Sequence, residues 1–150
     1  MLKILVTGGA GLIGSNVVKR FLSLGHEVHV ADNLWRGKLE NLYNNGHPIV
    51  DLDSHFHQVD LQDYDSCVAV SKNIDVVIHL ADIVAGINFV FSNELFLFRA
   101  NVVMNSNMLD AAILNNVKKY LYVGTACSYP EKMQSELNPP PFKEEDAYPA

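Results

Sequence analysis

The stretch Val6-Thr7-Gly8-Gly9-Ala10-Gly11-Leu12-Ile13-Gly14 follows an apolar run through Ile4 and Leu5 and opens an amphipathic one. Strand, glycine turn and helix in that order read as a phosphate-binding turn. Gly8 and Gly11 let the backbone turn tightly and let a pyrophosphate approach where a Cβ would block it, while Gly14 lets the helix pack close to the first strand. The free amides at the start of that helix, at Leu12 and Ile13, and the positive end of its dipole then face the anion. Ile13, Val17 and Phe21 recur at helical spacing beside Val18 and Leu22, and Gly25 sits where a left-handed residue would cap the helix. A second strand, Glu27 to Ala31, ends in Asp32, eighteen residues after Gly14. A carboxylate there is placed to accept hydrogen bonds from the adenosine ribose hydroxyls and would repel a 2′-phosphate, so the expected cofactor is NAD rather than NADP.

The 150 residues, 49% of them hydrophobic, suffice for one ordinary domain with a core. A net charge of −6 without any cluster of Lys or Arg argues against nucleic acid, whose backbone must be met by a basic surface. The apolar run Leu2 to Val6 is too short for a signal segment and leads straight into the glycine turn. A soluble, cytoplasmic protein with no membrane partner is therefore expected. Cys67 and Cys127 lie sixty residues apart without metal-type spacing, which suggests neither a disulfide framework nor a zinc site. His55 and His57 share one face of a strand, but no third ligand is spaced in the sequence to join them, so no metal is expected.

Strand and helix signals alternate along the whole chain. Strands are expected at Lys3 to Thr7, Glu27 to Ala31, His55 to Asp60, Asp75 to Leu80 and Tyr120 to Thr125. The unbroken apolar run Val76-Val77-Ile78 is what a parallel strand covered on both faces requires. Helices are expected around Tyr64 to Ser71 and from Asn93 to Asn115, the latter mixing apolar positions with a few polar ones. The segments Asp32 to Asp53 and Tyr129 to Ala150 read as loop, the first with one helical turn. The pattern predicts an α/β fold, a Rossmann-type doubly wound parallel sheet over residues 1–150. The fifth strand delivers Gly124, Thr125, Ala126, Cys127 and Ser128 to the carboxyl edge, where ligands bind in open α/β sheets.

These residues resemble the extended short-chain dehydrogenase/reductase family, the nucleotide-sugar epimerases and dehydratases, over essentially the whole chain. Thr7 to Gly14 resembles that family's cofactor turn, Asp32-Asn33-Leu34 its ribose-binding segment and Asp60-Leu61 its adenine-contacting pair. His79-Leu80-Ala81-Asp82 is similar to the segment on the nicotinamide side, with Asp82 where alanine is more usual, and Asn101 falls on the family's structural asparagine. Gly124-Thr125-Ala126-Cys127-Ser128-Tyr129-Pro130-Glu131 is similar to the stretch of the GDP-mannose 3,5-epimerases and GDP-fucose synthases. There a Ser or Thr touches the reacting hydroxyl and a Cys two residues on exchanges carbon-bound protons. The resemblance therefore implies Thr125 and Cys127 as catalytic residues, Gly86 beside the sugar, a nucleotide-sugar substrate and a homodimeric enzyme. A 4-epimerase, dehydratase or reductase of the same family stays open as an alternative.

One departure stands out. The family's catalytic Tyr and Lys lie four residues apart, the Lys lowering the phenol's pKa. The residues four after Tyr43, Tyr64, Tyr120, Tyr122 and Tyr129 are His47, Val68, Gly124, Ala126 and Met133. By resemblance, Tyr148 matches an aromatic upstream of the catalytic Tyr. The expectation is a chain truncated before the last strands and the substrate domain, inactive by itself, and a non-catalytic dinucleotide-binding module is the second alternative.

Overall fold

The computed structural model describes residues 1–125, 128–135, 137, 139 and 141–147. Five strands, β1 (Lys3–Thr7), β2 (Glu27–Asp32), β5 (Phe56–Gln58), β6 (Val76–His79) and β7 (Lys119–Tyr122), form one sheet in the order β5-β2-β1-β6-β7. Every neighbouring pair in it is parallel. Parallel neighbours need crossovers: α1 (Leu12–Ser23) joins β1 to β2, α2 (Tyr64–Val70) joins β5 to β6, α3 (Ile87–Ser92) and α4 (Glu94–Leu114) join β6 to β7, and β2 reaches β5 through residues 33–55 without an α-helix. Order reverses between β1 and β6, so the crevice at their carboxyl ends is the switch point where such sheets take ligands.

Two apolar layers sandwich the sheet. Ile4, Val6, Val28 and Val30 pack with Val18 of α1 and with Leu42. Leu5, Ala31 and Val77 pack with Cys67 and Val70 of α2 and with Met104, Met108 and Ala111 of α4. Alternate residues of β1 thus serve opposite layers, as the two-residue period of a strand dictates. Cys67 is buried among apolar neighbours, and burial pushes its thiol up to about 12. It is a packing residue.

The predicted strands and crossover helices agree with this architecture, with shifts at the ends. β7 stops at Tyr122, three residues before the predicted end, and β5 keeps only three of six expected residues. The expected loop 32–53 contains a 3₁₀ turn, Leu39–Leu42, and a two-stranded ribbon pairing β3 (Tyr43–Asn44) with β4 (His47–Pro48). In the segment read as loop after Tyr129, short helices form at Glu131–Gln134 and Glu144–Ala147.

α4 explains its own mixed composition. Asn101 accepts from the Ile83 amide at 2.8 Å and donates back to the Ile83 carbonyl, Asn105 meets His79, and Asn107 donates to the Gln62 carbonyl at 2.9 Å. Asn115 donates to the Val68 carbonyl at 2.9 Å. Asn101 and Asn107 hold the segments that follow β6 and β5, while Asn105 and Asn115 tie the helix to β6 and α2. Among the described residues, no helix is long and apolar enough to cross a membrane.

Candidate functional site

The glycine turn links β1 to α1. Gly8 takes φ +66°, and a Cβ there would stand 2.9 Å from the Ala81 nitrogen. Its amide donates to the Ala31 carbonyl at 2.7 Å, so the turn is bonded to β2 and packed on the end of β6. A Cβ on Gly14 would meet the Gly8 carbonyl oxygen at 2.2 Å, which is the close helix approach expected of that position. Gly9, to which the sequence assigns no task, has Val30 of β2 2.7 Å from where its Cβ would be. Gly11 differs, because its nearest neighbour, the Gly8 oxygen, stands 3.1 Å away. A side chain there would enter the cleft rather than the core.

Gly11 also caps α1 without a side-chain hydrogen bond, and the first turn carries no acidic residue. The first amides of a helix have no intrahelical acceptor, so this end keeps its donors and its positive dipole uncompensated. Leu12 and Ile13 are 81% and 70% exposed and line the cleft mouth beside Gly14.

Asp32 closes β2 and is buried, only 8% exposed as a residue. One carboxylate oxygen accepts from the Ala10 amide at 3.0 Å and the other from the Leu34 amide at 2.8 Å, which fixes the group against the glycine turn. Each oxygen retains a lone pair for a ligand hydroxyl. The Ala10 carbonyl in turn accepts from the Lys38 amide and the Asn41 side chain, pinning the following loop over the turn.

The cleft has two parts. In the first, of about 150 Å³, Gly8, Gly11, Asp32 and Asn33 converge with Asp60, Leu61, Leu80, Ala81 and Asp82. In the second, of about 620 Å³, Gly8, Gly11 and residues 80–82 recur with His79, Tyr122, Gly124 and Thr125. The two adjoining parts lie along the carboxyl edge between Asp32 and Thr125, and their shared lining brings those predicted cofactor residues together with Thr125. Leu12, Ile13 and Gly14 border its second part. Asn101 lies behind the cleft and holds Ile83, the residue after Asp82. Gly86 caps α3 and borders neither part. Cys127 and Tyr148 lie outside the described residues.

Beneath the second part runs a buried polar chain. The Thr7 hydroxyl oxygen accepts from the Leu80 and Ala81 amides, both at 3.1 Å, leaving its proton for His79 Nδ1 at 2.8 Å. His79 Nε2 must then carry a hydrogen, which it donates to Asn105 Oδ1 at 2.8 Å, and Asn105 donates to the Tyr122 hydroxyl. The imidazole is 2% exposed and neutral, its pKa depressed by burial against weaker opposing effects of Asn105 and Asp82. Desolvation pushes the Asp82 carboxyl up, with the Ile83 amide and His79 opposing.

Arg36 is a site residue that the sequence reading missed. It lines both parts of the cleft and donates to the Val84 carbonyl across it. The available signal was that it is the one cation between Asp32 and Gly37.

For His55 and His57 the sequence spacing offers no third ligand, yet the folded chain gives His55 other neighbours of that type. They lie on β2, where strand register sets Glu27 and His29 beside His55. Sequence spacing cannot display a cross-strand neighbour.

Comparison with known proteins places this geometry. The model of the NAD dependent epimerase/dehydratase family matches residues 4–150. The chain is 39% identical over 150 residues to GDP-mannose 3,5-epimerase 1 of Oryza sativa subsp. indica, covering 99% of this chain and 37% of that relative. Among solved structures, a UDP-glucose 4-epimerase of Thermus thermophilus in complex with NAD is 33% identical at a TM-score of 0.67, covering 81% of this chain and 37% of that one. UDP-N-acetylglucosamine 4-epimerase of Methanobrevibacter ruminantium M1 is 28% identical at a TM-score of 0.76, covering 97% and 43%. The chain thus spans well under half the length of these relatives.

Proposed function

Since the chain belongs to the NAD-dependent epimerase/dehydratase family, we propose that it forms the NAD-binding part of a nucleotide-sugar epimerase that works through a transient keto sugar as a homodimer. The observation that supports this reading most is the pair of adjoining cavities that share Gly8, Gly11 and residues 80–82 and reach from Asp32, past the uncapped start of α1, to Thr125. Asp32 holds the adenosine ribose, Asp60 and Leu61 flank the adenine, and the α1 amides meet the pyrophosphate. Bound NAD supplies a hydride acceptor for the sugar carbinol. Thr125, at the far end of the groove, holds the hydroxyl that is oxidised. Carbon-bound protons next to the new ketone are acidic, and the Cys127 thiolate removes and returns them. The identity with a 3,5-epimerase and the Gly124 to Glu131 segment favour that branch over the 4-epimerases.

Two substitutions in the enzyme that contains this segment test the assignment. Cys127→Ser is expected to stop solvent deuterium entering the sugar carbons while NAD stays bound, at a cost of roughly 10²- to 10⁴-fold in turnover. Thr125→Ala is expected to slow hydride transfer itself, because the carbinol is no longer held in line. Unchanged deuterium incorporation in Cys127→Ser would return that cysteine to a packing role and favour a 4-epimerase or dehydratase.

A further inference from the structure

At the edge of the sheet opposite the cleft, Lys3 begins β1, Glu27 begins β2 and His55 immediately precedes β5. We propose that Glu27, His29 and His55 form a binding site for a divalent transition metal of the zinc class, separate from the dinucleotide groove. One donor atom from each of the three lies within 4.8 Å of the others, and among the described residues this is the one such group. Glu27 Oε1 stands 3.0 Å from His29 Nε2 and 3.7 Å from His55 Nε2. A tetrahedral ion with bonds of roughly 2.0–2.1 Å sets neighbouring donors about 3.3 Å apart. The two Glu27 distances bracket that value and the His29 and His55 donors lie within 4.8 Å of each other, so side-chain rotations bring all three to bonding distance of one ion. Two imidazoles, one carboxylate and an open position for water make a donor set that zinc accepts readily. All three side chains are partly shielded, 17% to 30% exposed, which favours a fixed geometry while leaving an entry path.

A fourth histidine backs the site. His57 Nε2 lies 3.3 Å from His29 Nδ1, and the two rings stack at a centroid distance of 5.6 Å. With a metal on His29 Nε2, the Nδ1 proton points at His57, which is the outer contact that fixes a ligating imidazole in the required tautomer. The Lys3 ammonium competes for the carboxylate, 3.0 Å from the same oxygen. Its side chain is 47% exposed and free to swing into solvent. Because His55 leads into β5 and its carbonyl accepts the Val30 amide at 2.7 Å, the ion would clip the short edge strand to β2.

Zinc(II) is the probe, titrated by calorimetry and equilibrium dialysis into the protein carrying no polyhistidine tag. One ion per chain is expected, with a rise in thermal midpoint. His55→Gln, at the rim, and Glu27→Gln are each expected to weaken binding at least about tenfold, and His57→Leu about ten- to a hundredfold through the tautomer. Lys3→Met removes the competitor and no ligand, so it is expected to tighten binding, an effect that a damaged fold cannot mimic. NAD affinity of the His55→Gln protein is expected to match the parent, since the groove lies at the other edge. Absence of stoichiometric zinc uptake, or uptake that survives unchanged in both His55→Gln and Glu27→Gln, would overturn the proposal.

Discussion

Gly11 and Gly14 face the same carbonyl oxygen, that of Gly8, yet carry different loads. Gly14→Ala drives a methyl to 2.2 Å from that oxygen, which is backbone and cannot swing aside. A loss of about 1–3 kcal/mol in unfolding free energy is expected, read by denaturant titration. A protein as stable as the parent would mean that α1 does not pack on the turn as described. His79 carries a load that depends on pH. Its folded pKa is lowered by burial, so below the ordinary imidazole pKa of about 6.5 the unfolded chain binds a proton that the folded one refuses. The stabilisation is complete above pH ~6.5 and is lost as pH falls from there toward the folded pKa. Thr7, Asn105, Tyr120, Tyr122 and Asp82 face the ring, and the Thr7 oxygen at Nδ1 already accepts the Leu80 and Ala81 amides, so the second proton of an imidazolium meets a filled acceptor there. Thermal midpoints from neutral to mildly acidic pH should therefore fall less steeply in His79→Gln than in the parent. An identical slope would count against a neutral buried histidine.

At the scale of elements, α4 acts as the strut of the cleft. Its Asn101 satisfies both backbone groups of Ile83. Asn101→Leu leaves them unpaired, at about 1–2 kcal/mol, and releases the 80–86 loop. Faster amide exchange confined to that loop is the expected signature, and unchanged exchange would assign Asn101 no such task. This element also marks what could be read from the chain. The helix itself, the parallel strands and the glycine turn were legible because each rests on local periodicity or on residues a few positions apart. The tasks of Asn105 and Asn107 were not, since they bond to residues 26 and 45 positions away. The same reason hid the His29 and His55 neighbourhood, which exists only through β2 and β5 register. Arg36 was missed because its meaning comes from Val84 across the groove. β7 ended early because residues 123–125 have the apolar and small side chains of a strand, yet the pairing with β6 runs only to His79 opposite Tyr122.

For the whole molecule, the apolar surface decides behaviour in solution. Leu12, Ile13 and Leu121 stand exposed around one groove, and Phe91, Phe96 and Phe98 stand exposed on α3 and α4. Patches of this kind drive association. Sedimentation of the 150-residue chain is expected to show mass rising with concentration, and a monodisperse monomer throughout would contradict it. None of Tyr43, Tyr64, Tyr120, Tyr122 and Tyr129 has a lysine four positions later, and these 150 residues are expected to bind the dinucleotide without turning over a nucleotide sugar. Calorimetric titration of NAD and NADP into the chain and its Gly11→Val variant tests the central claim most directly. The predicted result is one NAD per chain and NADP weaker by about a hundredfold, through repulsion of a few kcal/mol between Asp32 and the 2′-phosphate. Gly11→Val should keep its secondary structure but lose binding, because its side chain enters the pyrophosphate path. NADP binding as tightly as NAD, or a Gly11→Val protein of normal affinity, would contradict the account.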